Sequence, residues 1–187
     1  MKHSDKRRLP RLIAGMGMLT ALSAALSFLE WMLSPIPGLP PGIKLGLANI
    51  VVMFTVFALG KKEAYILSLL KSVFVLFGRG PVAFCMSLTG SLLSVTVMLL
   101  ANRSIEKGNH TKRISVFGAV AHNVGQLAAA VLVLGTGSFL WYYLPVMLLA
   151  GMIMGWITGY LYAVVSPALE RIPFGCGAVA QQEHPEI

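Results

Sequence analysis

Residues 82–101 read Val-Ala-Phe-Cys-Met-Ser-Leu-Thr-Gly-Ser-Leu-Leu-Ser-Val-Thr-Val-Met-Leu-Leu-Ala, 20 positions without a single charge. As a helix this run is about 30 Å long, the thickness of a bilayer's hydrocarbon core. Five further runs read the same way: Leu12–Leu33, Lys44–Gly60, Ala64–Gly80, Ile114–Leu134 and Tyr142–Val165. Short breaks separate them. Ser34-Pro35-Ile36-Pro37-Gly38-Leu39-Pro40-Pro41-Gly42 cannot be helical, because proline removes backbone donors and clashes with the preceding turn. Gly60-Lys61-Lys62 and Gly80-Pro81 close the second and third runs, and Asn102–Arg113 is the only polar connection of any length. The pattern predicts an all-α, polytopic membrane protein with six transmembrane helices. It divides into a basic N-terminal segment (1–11), a six-helix domain (12–165) and a C-terminal tail (166–187) without usable periodicity.

Composition agrees. Of 187 residues, 56% are hydrophobic and 12% charged, against roughly 25% charged in a soluble domain. Mean hydropathy is +0.76. The net charge of +8 invites a nucleic-acid partner. The charges, however, sit in short clusters between apolar runs and not along one face, so no nucleic-acid partner is expected. The first run is longer than the 7–15 residues of a secretory core, so it is read as a retained helix. Cys85 and Cys176 are the only cysteines and fall in different regions, which implies neither disulfide nor metal site.

The basic residues orient the chain. A cytoplasmic N-terminus puts Lys2, Lys6, Arg7, Arg8, Arg11, Lys61, Lys62, Arg103, Lys107, Lys112, Arg113 and Arg171 inside, which is 12 of the 15 Lys and Arg. Cytoplasmic loops carry the excess of Lys and Arg, so the expected topology is N-in and C-in, across a bacterial plasma membrane.

Several chemistries are missing. Asp5 is the only aspartate, which rules out an aspartate-rich magnesium cradle for a diphosphate. The phosphate-loop pattern of glycines followed by Lys and Ser or Thr does not occur, so ATP hydrolysis by that route is excluded. His3, His110, His122 and His184 are too scattered for a metal. No enzyme activity and no cofactor are expected.

Polar groups at membrane depth are therefore the candidates. A charge there costs about 2.5–3.5 kcal/mol on insertion scales. Glu30 lies near the outer end of the first helix, Lys44 opens the second and Arg79 ends the third, beside the proline-rich loop. They form either a vestibule for an anionic or polar solute with the loop as lid, or an interfacial ion pair that anchors helix ends. Lys71 sits well inside its helix, and its favoured role is helix–helix packing with Glu30 too far outward to pair with it. His122, Asn123 and Gln126 crowd one face of the fifth helix at spacings of three and four, and Asn49 adds an amide on the second. These groups either line a solute site or hydrogen-bond helices together. Gly17, Ala21 and Ala25 make a small-residue stripe on the first helix, and Gly151, Gly155 and Gly159 make one on the sixth. Such stripes serve internal packing or docking of another membrane subunit, and both uses stay open. Trp141, Tyr142 and Tyr143, with Trp31, suit an aromatic belt at the outer interface, where aromatics can also stack on a flat ligand.

Four strings carry a resemblance. They are Pro41-Gly42-Ile43-Lys44-Leu45-Gly46-Leu47-Ala48-Asn49-Ile50, Ser87-Leu88-Thr89-Gly90-Ser91-Leu92-Leu93-Ser94-Val95-Thr96-Val97-Met98, Gly118-Ala119-Val120-Ala121-His122-Asn123-Val124-Gly125-Gln126-Leu127 and Tyr143-Leu144-Pro145. Over roughly residues 10–165 the chain resembles the bacterial Gx transporter family, also labelled heptaprenyl diphosphate synthase component I. That family looks like the substrate-binding S components of energy-coupling-factor (ECF) transporters. The resemblance implies an S-component-like bundle whose solute site opens outward beneath the first loop. It also implies dependence on a transmembrane coupling subunit and paired ATPases, which would explain the missing phosphate loop. Ala21 and Ala25, with Gly17, fit the S components' Ala-x-x-x-Ala contact with the coupling subunit. The third-helix base is more often arginine in this family and is Lys71 here.

The expectation is a membrane subunit binding a small solute (a vitamin, flavin or isoprenoid-related precursor) through Glu30, Lys44, Asn49, Arg79, His122, Asn123 and Gln126. The alternative is a non-catalytic membrane partner of a heptaprenyl diphosphate synthase.

Overall fold

The computed structural model describes residues 5–33, 46–104, 110–135 and 137–170. They form six helices: α1 Asp5–Leu33, α2 Leu47–Ala58, α3 Lys61–Arg79, α4 Pro81–Ser104, α5 His110–Leu134 and α6 Ser138–Glu170. Among the described residues there is no strand. The proline-rich loop, Lys44, the tail with Arg171 and Cys176, and the side chain of Trp141 lie outside the described residues.

Glycine and proline make the tight turns. Leu59 and Gly60 are the two residues between α2 and α3; Gly60 is at φ 115°, and its N–H donates to the Thr55 carbonyl. Gly80, at φ 84°, separates α3 from α4, and its N–H closes back on the Leu76 carbonyl. A positive φ costs glycine nothing. Pro81 then starts α4, where its missing N–H has no intrahelical partner to lose.

Several boundaries differ from expectation. α1 begins at Asp5, so most of the basic N-terminal segment is helix, and α6 continues to Glu170. The polar connection Asn102–Arg113 is largely the ends of α4 and α5, leaving only residues 105–109 between them. Helices that outrun the apolar slab take up polar residues at their ends without leaving helical geometry, which a hydropathy count stops short of. α2 is shorter than its run, at 12 residues.

Four helices contain spans long and apolar enough to cross a membrane: 9–32, 81–103, 111–133 and 142–168. α2 is too short for this by itself. It lies at the centre, packed by α1, α3, α4 and α6, with Ile50 to Val56 buried in succession. Leu19, Leu67, Val95, Met98, Ile114 and Tyr162 close around it. The outward faces are apolar too, with Phe77, Leu132, Tyr142, Trp156 and Tyr160 exposed. Lipid is the solvent that suits such a surface. The hydroxyls of Thr20, Thr55, Ser72, Thr89, Thr96 and Thr158 donate to carbonyls one turn back, so the helices carry them without unpaired donors.

Candidate functional site

α4, α5 and α6 pack most closely, and glycines set that closeness. A Cβ on Gly125 would lie 2.9 Å from the Gly90 Cα, and one on Gly155 2.7 Å from the Val116 Cα. Gly151, Gly155 and Gly159 all face α5. The α6 stripe is therefore internal packing. The α1 stripe is the opposite case, because Gly17, Ala21 and Ala25 are exposed and nothing lies within 4 Å of a Cβ built on Gly17.

The backbone approach of α4 to α5 aims the polar face of α5 inward. His122 and Gln126 are buried, and the His122 Nε2 lies 2.9 Å from the Gln126 Nε2. Asn123 Nδ2 donates to the Met147 carbonyl of α6 at 2.9 Å. Asn123 thus joins α5 to α6, while the His122–Gln126 contact lies within α5.

Glu30 is buried near the end of α1, and its Oε1 accepts the backbone N–H of Leu47. Leu47 is the first residue of α2, whose N-cap, Gly46, is left-handed at φ 77° with no capping side chain of its own. A carboxylate from α1 thereby satisfies an orphan N–H at the positive end of a neighbouring helix. A Cβ on Gly46 would lie 3.4 Å from the Thr158 Cγ2 of α6.

These groups surround one cavity of about 100 Å³. By about 10–15 Å³ per water, it holds roughly seven to ten water-sized groups. Every helix contributes. α1 gives Ala24, Ser27, Phe28, Glu30 and Trp31; α2 gives Ala48 and Asn49; α3 gives Lys71, Phe74, Val75, Gly78 and Arg79. Ser87 comes from α4, Ala119, His122, Asn123 and Gln126 from α5, and Gly151, Met154 and Thr158 from α6. Phe28 and Trp31 form a tilted pair with ring centroids 5.5 Å apart.

The cavity brings together six of the seven predicted solute residues, Glu30, Asn49, Arg79, His122, Asn123 and Gln126. Lys44 lies outside the described residues. Lys71, assigned from sequence to helix packing, lines the same cavity and is 3% exposed. Glu30 lines it too, so the expected separation of the two in depth does not keep them apart. Both are held by interactions within the bundle. A lone cation in mid-helix with serines three before and one after it was the available signal, since intramembrane charge is functional by default. Ser27, Ser87 and Thr158 were missed for a different reason: single hydroxyls in apolar helices carry no spacing pattern. Among the described residues, no group of three or more His, Cys, Asp or Glu could hold a metal ion.

No curated protein and no solved structure matches the chain. The family model described as heptaprenyl diphosphate synthase component I matches residues 19–165. That range contains every residue of the cavity wall. The chain is a multi-pass membrane protein and belongs to the heptaprenyl diphosphate synthase component I family.

Proposed function

We propose that the chain is a solute-binding membrane subunit of the S-component kind, serving an ECF-type uptake transporter. The observation that carries this reading is the cavity to which all six helices contribute, with buried Glu30, Lys71, His122 and Gln126 in its wall. Burying ionic and amide groups in one apolar bundle costs several kcal/mol. A purely structural bundle would be more stable with apolar residues there. The exposed Gly17/Ala21/Ala25 face supports a docked coupling subunit, and the placement of Lys and Arg supports N-in, C-in topology in a bacterial plasma membrane. ATP hydrolysis falls to partner ATPases. The solute classes this reading admits are a vitamin, a flavin or an isoprenoid-related precursor.

Native mass spectrometry of the purified chain tests the binding reading: a retained small molecule is expected, and repeated recovery of empty protein from cells grown in rich medium would overturn it. The docking reading has its own test. Ala21→Leu with Ala25→Leu should abolish co-purification with a coupling subunit while the fold persists, and undiminished co-purification would refute it.

The family's name favours a second reading, a non-catalytic membrane component holding a heptaprenyl diphosphate synthase at the lipid surface. Replacing residues 102–113 should then release the synthase, whereas a solute binder would be indifferent to the change.

A further inference from the structure

α3 and α4 run antiparallel, joined through Gly80 alone, and hydroxyls line the seam between them. Ser72 Oγ lies 3.2 Å from Ser87 Oγ. Tyr65 Oη lies 2.8 Å from Thr96 Oγ1. The Thr96 hydroxyl donates to the Leu92 carbonyl, so Tyr65 is the donor of that pair. In antiparallel helices a step back along one matches a step forward along the other. Four residues before Ser72 comes Ser68, and four after Ser87 comes Ser91, each one turn or about 6 Å farther along. Ser68 and Ser91 therefore stand opposite one another, between the two bonded pairs. The seam has three levels in register: Ser72 with Ser87, Ser68 with Ser91, and Tyr65 with Thr96.

The first level belongs to the cavity, because Ser87 is in its wall. The last is exposed. The middle level differs from both. Ser68 is 0% exposed and Ser91 1%, yet among the described residues neither Oγ has a hydrogen-bond partner. Donation to the carbonyl one turn back satisfies Thr55, Ser72, Thr89 and Thr96, but neither of these two serines. Buried hydroxyls are costly to leave unpaired, and nearly all of them find a partner in protein or in ordered water. A hydroxyl both donates and accepts. Whatever joins two of them has to do both as well, without bringing a charge into the bundle. Water meets that requirement, and a helix carbonyl has a second lone pair for its remaining proton.

We infer that Ser68 and Ser91 hold one ordered water between α3 and α4. This water is the middle rung of a hydroxyl ladder that runs from Ser87 in the cavity wall to Tyr65 and Thr96 at the surface. It ties α3, which carries Lys71 and Arg79, to α4 at three levels and so holds that side of the cavity in place. The cavity's own ligand does not enter the inference, which stands or falls apart from the solute-binding reading.

The test is thermal unfolding of Ser68→Ala, Ser91→Ala and the double variant in one detergent. Each single variant should lower the melting temperature by about 2–4 °C, the shift for one lost hydrogen bond in a chain of this size. The double variant should fall no further than the larger single loss, because one water serves both serines. An unchanged or raised melting temperature in either single variant overturns the inference, since an unpartnered buried hydroxyl is removed without cost. A double loss equal to the sum of the singles overturns it too. A structure of the wild-type chain at a resolution that shows ordered water supplies the second reading: density is expected within about 2.7–3.2 Å of both Oγ atoms. A direct bond between the two serines, or hydroxyls turned onto carbonyls of their own helices, overturns the inference whatever the melting curves show, and decides it should either variant fail to fold.

Discussion

Gly125→Ala puts one methyl group between two backbones. The added Cβ would lie 2.9 Å from both the Gly90 Cα and the Thr89 carbonyl oxygen, with the Gly90 nitrogen at 3.1 Å. No side chain can swing aside, since all three atoms are backbone. Carbon–carbon contacts relax at about 3.5–4.0 Å, so α4 and α5 must part locally by about 0.6–1 Å. Overpacking of this kind costs about 1–3 kcal/mol. The same parting strains the 2.8 Å bond from Ser94 Oγ to the Gly118 carbonyl, worth about 1 kcal/mol if lost. Against this stands a helix-propensity gain of about 0.8–1 kcal/mol for Gly→Ala. The net expectation is a destabilisation of about 1–3 kcal/mol. Gly17→Ala is the control: nothing lies within 4 Å of its Cβ, so it should be neutral or slightly stabilising. Both variants are compared by thermal unfolding in one detergent at fixed concentration, followed by tryptophan fluorescence. If Gly125→Ala melts with or above Gly17→Ala, the backbone contact of α4 with α5 is refuted.

Other variants read single contacts. Glu30→Ala leaves the partly buried Leu47 N–H without its acceptor and should cost about 1–3 kcal/mol; Glu30→Gln keeps an acceptor and should cost less, as the same unfolding curves would show. Asn123→Ala removes the bond to the Met147 carbonyl; an interhelical bond in a membrane averages about 0.6 kcal/mol, so a loss beyond about 2 kcal/mol would show that the residue does more than join α5 to α6. Ala21→Leu with Ala25→Leu changes an exposed face and should leave the melting temperature of the isolated chain unchanged, so a fall would place that face inside the bundle.

The six helices were legible because glycine, proline and polar breaks separate six apolar runs, although only four of the helices contain spans long and apolar enough to cross a membrane. The turns at Gly60 and Gly80 were legible because glycine and proline act locally. Two things were not. Where a helix ends beyond the apolar slab is invisible to hydropathy, hence Asp5 and Glu170. Which face a residue presents depends on helix rotation, which a single sequence does not contain. The stripes Gly17/Ala21/Ala25 and Gly151/Gly155/Gly159 look alike as text, yet one is exposed and the other grips α5. Lys71 suffered in the same way: its depth along α3 was readable, but the cavity opposite it was not.

The first turn of α2 stands at the cavity. Twelve residues make a helix of about 18 Å, some 12 Å short of a bilayer core of about 30 Å. Ala48 and Asn49, in its first turn, line the cavity, while Ile50 to Val56 fill the core beyond it. Ala48→Leu would extend an apolar side chain into a cavity of about 100 Å³. Each methylene buried there contributes about 0.8 kcal/mol, and a site with room escapes the overpacking penalty that Gly125→Ala meets. Stability should therefore hold or rise by up to about 2 kcal/mol, while solute retention in the native mass spectrum is lost. A variant destabilised by more than about 2 kcal/mol would mean that position 48 faces packed side chains, and the place of the first turn of α2 in the cavity wall would fall.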